Sequence, residues 1–253
     1  MKKHINKKII DPDFSKRIHK GTSASPNTIN YHYQKFSHIM EYINAIVTTK
    51  AALRKKMYLF RYPLDNLLTL DLEDLDAGVQ SYSFPNHVFR EKIINASKTY
   101  RFIPIVLQIQ MLDDEEVDGI DYHANSIIID TKRKVIELFE PHGYRVTLST
   151  LGGVSGAYNK KTRIIQRYLK NIFPKYRFID AVDKIKKTAY QAEKDPDEHT
   201  GYCVMWSLLF LHYRLLNPDI DINLLMKYID KKITTRFLLL YSSLVEDTLK
   251  FKL

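Results

Sequence analysis

The stretch from Ser126 to Phe139 reads Ser-Ile-Ile-Ile-Asp-Thr-Lys-Arg-Lys-Val-Ile-Glu-Leu-Phe, and it contains two β-rich runs around a polar turn. Runs of β-branched and aromatic residues that are bounded by turn residues are typical of strands. A similar run, Phe102-Ile-Pro-Ile-Val-Leu-Gln-Ile-Gln-Met, precedes this stretch, and another, Tyr176-Arg-Phe-Ile-Asp-Ala-Val, follows it. The sequence therefore predicts a central sheet, mixed or antiparallel.

Helical periodicity lies on both sides of these runs along the chain. Apolar residues recur at the spacing of an amphipathic helix over 34–57. Shorter helices are expected to begin near Pro63 and Pro85, because proline is tolerated in a first helical turn. The other predicted helices span residues 157–173, 203–216, 220–232 and 233–250. The predicted fold class is α+β, with a central sheet flanked by helices.

The chain has 253 residues, of which 45% are hydrophobic, and it can therefore bury a sizeable core. Residues 1–30 are poor in apolar residues and rich in Lys, so we expect them to form a mobile basic arm. No repeat or linker divides the remainder, which predicts one domain over 31–253 with a helical portion at 31–100 and a core at 101–253. Neither a membrane span of roughly 20 apolar residues nor a secretory signal is expected.

Net charge and residue composition limit the classes of partner and cofactor that the chain can bind. The chain carries 39 Lys and Arg against 29 Asp and Glu, a net charge of +10 that favours acidic partners and allows nonspecific contact with nucleic acid. Solvated helix faces explain the same excess. No Gly-rich phosphate loop is present, and a single Cys excludes intrachain disulfides and thiolate zinc clusters. We expect no cofactor or metal, and a reducing, cytoplasmic location.

Cys203, the one cysteine, begins the most apolar predicted helix. The N-terminus of a helix carries a partial positive charge and unpaired N–H groups, so it favours a nucleophilic thiolate and can hold an oxyanion. A small buried apolar residue is the alternative interpretation. The nucleophile hypothesis therefore needs a base.

His123 is the best-placed base, because it begins a strand of the predicted hairpin. If a tight turn is centred on Thr131-Lys132, Ile129 faces Lys134 and His123 directly faces Glu140. Directly opposite side chains have Cβ atoms about 4.5–5.5 Å apart. Glu140 is therefore predicted to orient the imidazole, with an ordinary cross-strand pair as the alternative.

Two further polar residues are candidates. His142 lies in the turn Glu140-Pro-His-Gly-Tyr and is the competing base. Gln191 follows the last predicted strand, and its carboxamide N–H can donate to an oxyanion. An exposed loop residue is the other interpretation of Gln191.

The ordered set His123, Glu140, Gln191 and Cys203 resembles the thiol-protease superfamily of the adenovirus protease and the SUMO-specific and related deubiquitinating proteases. The step of 17 residues from the histidine to the acid matches those families. The chain also contains strings that look like those of relatives in large cytoplasmic DNA viruses: His123-Ala-Asn-Ser-Ile-Ile-Ile-Asp, Glu137-Leu-Phe-Glu-Pro-His-Gly and Gly201-Tyr-Cys-Val-Met-Trp-Ser.

This resemblance implies a papain-like fold and a cysteine peptidase that cleaves a peptide or isopeptide bond through a thioester. Cys203 would be the nucleophile, His123 the base and then the acid, and Glu140 the orienting acid. Gln191 would donate to the oxyanion together with the Cys203 backbone N–H. The implied substrates are viral polyproteins or ubiquitin-like conjugates. Many SUMO-type members have Trp directly after the catalytic His, whereas this chain has Ala124.

Two alternatives remain open. Acetyltransferases with the same His, Glu and Cys arrangement use the same thioester chemistry and require acetyl-CoA. A catalytically inactive, basic nucleic-acid-binding or virion structural protein would instead show an ordinary thiol and a binding affinity that falls steeply with salt.

Overall fold

A six-stranded sheet with helices on both faces forms the centre of the protein, which we describe from a computed structural model. The structure describes residues 9–11, 42–43, 56–58, 67–75, 78–84, 87–112, 121–141, 155–182 and 202–250. Its strands are β1 (Leu67–Leu75), β2 (Gly78–Ser83), β3 (Phe102–Leu112), β4 (Asp121–Asp130), β5 (Val135–Phe139) and β6 (Arg177–Asp180). The order across the sheet is β2-β1-β3-β4-β5-β6. The pairs β1–β3 and β5–β6 are parallel and the others are antiparallel, so the central sheet, predicted as mixed or antiparallel, is mixed.

Five helices lie with both of their ends in the part of the chain that the structure describes. They are α1 (His87–Thr99), α2 (Ser155–Ile172), α3 (Cys203–Leu216), α4 (Ile222–Lys232) and α5 (Thr235–Lys250). The four helices predicted after residue 150 are confirmed to within about two residues at each end. Of the helix predicted over 34–57, residues 42–43 are helical, and most of the rest lies outside the described residues.

The helix predicted to begin near Pro63 is wrong where it reaches Leu67 and Leu68, because these residues begin β1. Leu68 and Leu70 are buried while Thr69 between them is half-buried. That alternation has the two-residue period of a strand with one buried face. The portion 31–100, predicted as helical, thus contributes β1 and β2 to the sheet as well as α1.

Two apolar cores cover the two faces of the sheet. Helices α3, α4 and α5 pack in one core, against residues such as Val106, Ile128 and Phe139. Helices α1 and α2 pack in the other, against Ile105 and Ile127 among others. Because neighbouring strand residues point to opposite faces, the run Ile127-Ile128-Ile129 supplies both cores.

Helix α3 lies inside the first core, with all of its residues buried. Most of its side chains are apolar, which is typical of a helix surrounded by protein. Within the described ranges, no helix has the length and apolar character needed to cross a membrane. Because α3 is buried along its whole length, its first residue, Cys203, is held in a fixed position.

The β4–β5 turn corrects the predicted register. Asp130 pairs with Val135, so the turn contains the four residues 131–134 rather than two, and Ile129 faces Ile136 instead of Lys134. The Asp130 carboxylate accepts hydrogen bonds from the backbone N–H groups of Lys132 and Arg133, each at 3.1 Å. This local bonding stabilises the longer turn. The register shifts by two residues, so every side chain keeps its predicted face.

Part of the predicted N-terminal arm packs on the domain. The backbone N–H of Ile10 donates to Asn217 Oδ1 at 2.7 Å, and Asn217 Nδ2 donates to the Ile10 carbonyl at 2.8 Å. The Asp11 carboxylate accepts from the hydroxyl of Tyr228. Residues 9–11 therefore lie against the C-terminal end of α3, and the mobility of the arm stays a prediction.

Candidate active site

Glu140 directly follows β5. At this position the neighbouring strand β4 extends past the end of β5. The β4–β5 ladder ends at the pair Ser126 and Phe139. Continued by one residue, this register places Glu140 opposite Asn125 and diagonal to His123. The prediction that His123 faces Glu140 directly is therefore wrong in register, but a diagonal neighbour is still within reach of a long side chain.

The Glu140 carboxylate contacts two side chains of β4. One oxygen, Oε1, bonds to His123 Nε2. The other, Oε2, accepts a hydrogen bond of 2.8 Å from Asn125 Nδ2. His123 and Asn125 are two residues apart on one strand and so point to the same face. Glu140 is 3% exposed and Asn125 is 1% exposed, so both interactions are shielded from water.

Cys203 is the first residue of α3 and is a free thiol, 6% exposed. Two contacts hold α3 against the strands that carry the other residues of the site. Ser207 Oγ donates to the Ala124 carbonyl of β4 at 3.1 Å, and Phe210 stacks on Phe139 of β5 with ring centroids 4.7 Å apart. Ala124, where many SUMO-type proteases have Trp, is itself fully buried in the core around α3.

His123 contacts Cys203 as well as Glu140. A side-chain hydrogen bond joins the imidazole to the thiol. Because Nε2 faces Glu140, Nδ1 is the ring nitrogen left for the sulfur. Burial opposes protonation of the ring, but the negative charge of Glu140 and the contacts with Cys203 outweigh it and raise the pKa of His123 to about 10. The ring is therefore an imidazolium at neutral pH.

The arrangement brings a thiol, an imidazole and the backbone N–H groups of a helix N-terminus to one place. An imidazolium beside a sulfur stabilises the thiolate, which is the nucleophilic form. Tyr202 is the N-cap of α3 and makes no side-chain capping bond. The N–H groups of a first helical turn have no partner within the helix and carry partial positive charge. They can stabilise negative charge that develops next to the sulfur.

Of the predicted site residues, the structure brings together His123, Glu140 and Cys203. Gln191 and the competing base His142 lie outside the described residues. Sequence reasoning missed Asn125, although its position two residues after His123 on a predicted strand was the available signal. Within the described ranges there is no cluster of His, Cys, Asp and Glu side chains that could hold a metal ion.

Comparison with known sequences gives one partial relative. No protein-family model matches the chain. Protein L371 of Acanthamoeba polyphaga mimivirus, which is named for ankyrin repeats, is 32% identical over 113 residues. The match covers 39% of this chain and 14% of that protein, so the chain spans only a small part of its relative.

Comparison with solved structures addresses the fold. The Chlamydia trachomatis effector protein ChlaDUB1 is 11% identical with a TM-score of 0.51, over 94% of this chain and 93% of its own. Two others score lower: C. trachomatis Cdu1 bound to ubiquitin (TM-score 0.46, 13% identity, 85% and 91% covered) and the ASFV pS273R protease (TM-score 0.40, 11% identity, 85% and 67% covered). The similarity to ChlaDUB1 spans nearly the whole of both chains and confirms the predicted fold. The chain therefore has an α+β, papain-like fold similar to that of ChlaDUB1.

Proposed function

We propose that the protein is a cysteine peptidase that cleaves a peptide or isopeptide bond through a thioester on Cys203. One observation carries the proposal: a single imidazole, His123, bonds to Glu140 on one side and to the thiol of Cys203 on the other. The thiol stands at the start of a buried helix, in a fold shared with cysteine peptidases. A cysteine that only fills space in the core would need neither partner.

The reaction follows from these positions. In the resting pair His123 already holds the thiol proton as an imidazolium, and the thiolate of Cys203 attacks the carbonyl carbon of the scissile bond. The imidazolium then donates that proton to the leaving amine, which leaves an acyl group on the sulfur. A water molecule, deprotonated by His123, hydrolyses the thioester and regenerates the thiol. Glu140 orients the ring throughout and stabilises its charged form.

The tetrahedral intermediate needs hydrogen-bond donors for its oxyanion. We assign the backbone N–H of Cys203 as one donor, because it belongs to the first turn of α3. We propose the carboxamide of Gln191 as the second, following the order of residues in the resembling proteases. The segment between Gln191 and Cys203 contains 193–199, a very polar stretch.

Protein substrates of two classes fit the proposal. These are viral polyproteins, in keeping with the partial mimivirus relative, and conjugates of ubiquitin-like modifiers. Ala124 stands where Trp follows the histidine in many SUMO-type proteases, so a preference restricted to SUMO is not expected. Since the reaction requires a reduced thiol, we also propose a reducing compartment such as the cytoplasm.

The proposal can be tested on the purified chain. Fluorogenic conjugates of ubiquitin-like modifiers and a peptide library should reveal turnover that Cys203→Ala abolishes while the circular dichroism spectrum is retained. A mechanism-based electrophile should label the wild type at Cys203 and should not label His123→Ala. Turnover that survives in Cys203→Ala would exclude the thiol mechanism. Transfer of an acetyl group from acetyl-CoA, without hydrolysis, would identify an acyltransferase instead.

A further inference from the structure

Two side chains, His123 and Asn125, bond to the carboxylate of Glu140. The proposed mechanism uses only the bond to His123. Asn125 Nδ2 donates to Oε2 at 2.8 Å while His123 takes Oε1. A carboxylate can only accept hydrogen bonds, so the amide nitrogen must face it. Asn125 therefore fixes the plane of the carboxylate and leaves one defined oxygen for the imidazole.

The other end of the same amide is unsatisfied. Asn125 is 1% exposed, and its carbonyl oxygen, Oδ1, has no hydrogen-bond partner among the residues that the structure describes. A buried polar atom without a partner destabilises a fold. Leu would remove that penalty, but it would also leave Oε2 of the buried Glu140 without its donor. The amide therefore serves the carboxylate through Nδ2, whereas Oδ1 contributes only a cost of burial.

We infer that Asn125 is a positioning residue for the Cys203–His123–Glu140 site: its amide holds Glu140 ionised and oriented, so that the carboxylate supports the imidazolium that faces the thiol. This inference rests on the proposed function. A hydrogen bond donated to a carboxylate favours its charged form. Asn125 acts through Glu140 and contacts neither the sulfur nor, in our assignment, the substrate.

The test compares Asn125→Leu and Asn125→Asp with the wild type, and it uses alkylation by iodoacetamide as the readout. Cys203 is the one cysteine of the chain, so the alkylation rate reports on it alone. In Asn125→Leu we expect the rate at pH 6 to fall about tenfold, the effect of losing one hydrogen bond to a charged group. The melting temperature should fall as well, because Oε2 of the buried Glu140 loses its donor, so the readout is the pH profile of alkylation of the folded protein.

Asn125→Asp separates orientation from space filling. At low pH the two carboxyl groups can share a proton, which restores a donor to Glu140, whereas at higher pH their charges repel. The alkylation profile should therefore resemble the wild type at the acid end and diverge from it as the pH rises. Ser126→Ala is the matched control, because Ser126 is equally buried on β4 but points to the opposite face.

Different results would contradict the positioning role of Asn125 and the proposed function. An unchanged profile in Asn125→Leu, or an equal loss in Ser126→Ala, would overturn the positioning role. A wild-type thiol that alkylates like a free cysteine, with no dependence on His123, would overturn the proposed function itself. The His123→Ala variant distinguishes these two failures, since it tests the thiol–imidazole pair without touching Asn125.

Discussion

Replacing Glu140 by Gln should remove the charge that keeps His123 protonated. Burial of the ring favours its neutral form, and the nearby carboxylate is the main influence that raises the pKa of His123 to about 10. Without that charge we expect the pKa to move toward the ordinary value of about 6.5. At pH 8 the imidazolium fraction would then fall from nearly complete to a few per cent, by up to about thirtyfold.

The assay is an NMR titration of the His123 ring protons, assigned by their loss in His123→Ala. The pH dependence of Cys203 alkylation provides a second reading, since loss of the imidazolium should lower the alkylation rate near neutral pH. Glu91→Gln, which removes an exposed carboxylate from α1, is the matched control and should change neither curve. A His123 pKa that stays within about one unit of its wild-type value in Glu140→Gln would refute the assigned role of the carboxylate.

Three further results are expected. His142→Ala should leave turnover and alkylation unchanged, whereas the same change at His123 should abolish both; the reverse would mean that the other histidine is the base. Arg214→Leu should lower the free energy of unfolding in urea by about 3–5 kcal/mol, because it leaves buried Glu137 without its bidentate partner at 2.6 and 2.8 Å. Arg133→Leu removes a half-buried group 3.8 Å from the same carboxylate and should lower the free energy of unfolding by under about 1 kcal/mol. Equal losses in the two variants would contradict the role of Arg214 as the main partner of Glu137. Finally, the folded-state pKa of His123 lies above its ordinary value, so the stability that the ring contributes should be complete below about pH 6.5 and lost as the pH rises through about 10. The difference in free energy of unfolding between the wild type and His123→Ala should therefore shrink as the pH rises, and a difference that grows would contradict the raised pKa.

Elements that bury a continuous apolar surface were predictable from sequence, since period and composition agree there. Strand β3 and helix α3 are long apolar runs, and their observed bounds lie close to the predicted ones. β1 was missed because it begins with two adjacent leucines, which fit a helical period as well as a strand period over so few residues. Its partner β3 lies 39 residues further along the chain in the pair Leu67 and Val106, and a local pattern carries no information about such a pairing.

The β4–β5 hairpin shows why a turn length inferred from the local sequence can give the wrong register. A two-residue turn was assumed, yet the side chain of Asp130 bonds to the backbone of the turn and Lys134 takes a left-handed conformation with φ of 53°. The resulting shift of two residues moved Glu140 from a position opposite His123 to one opposite Asn125. The contact with His123 survived because a shift of two leaves every side chain on its face, whereas a shift of one would have separated them.

The same shift explains why the site contains an asparagine that the predicted register left out. With Glu140 opposite Asn125, the direct neighbour of the carboxylate is an amide, and the imidazole is reached only along the diagonal. A diagonal contact is longer and less constrained than a direct one, so the carboxylate needs a second anchor to stay aimed at the ring. An apolar residue at 125 would leave Oε2 buried with one partner fewer and free to rotate away from His123. Asn125 and the four-residue turn are therefore linked features: the turn sets the register, and the register makes the amide necessary.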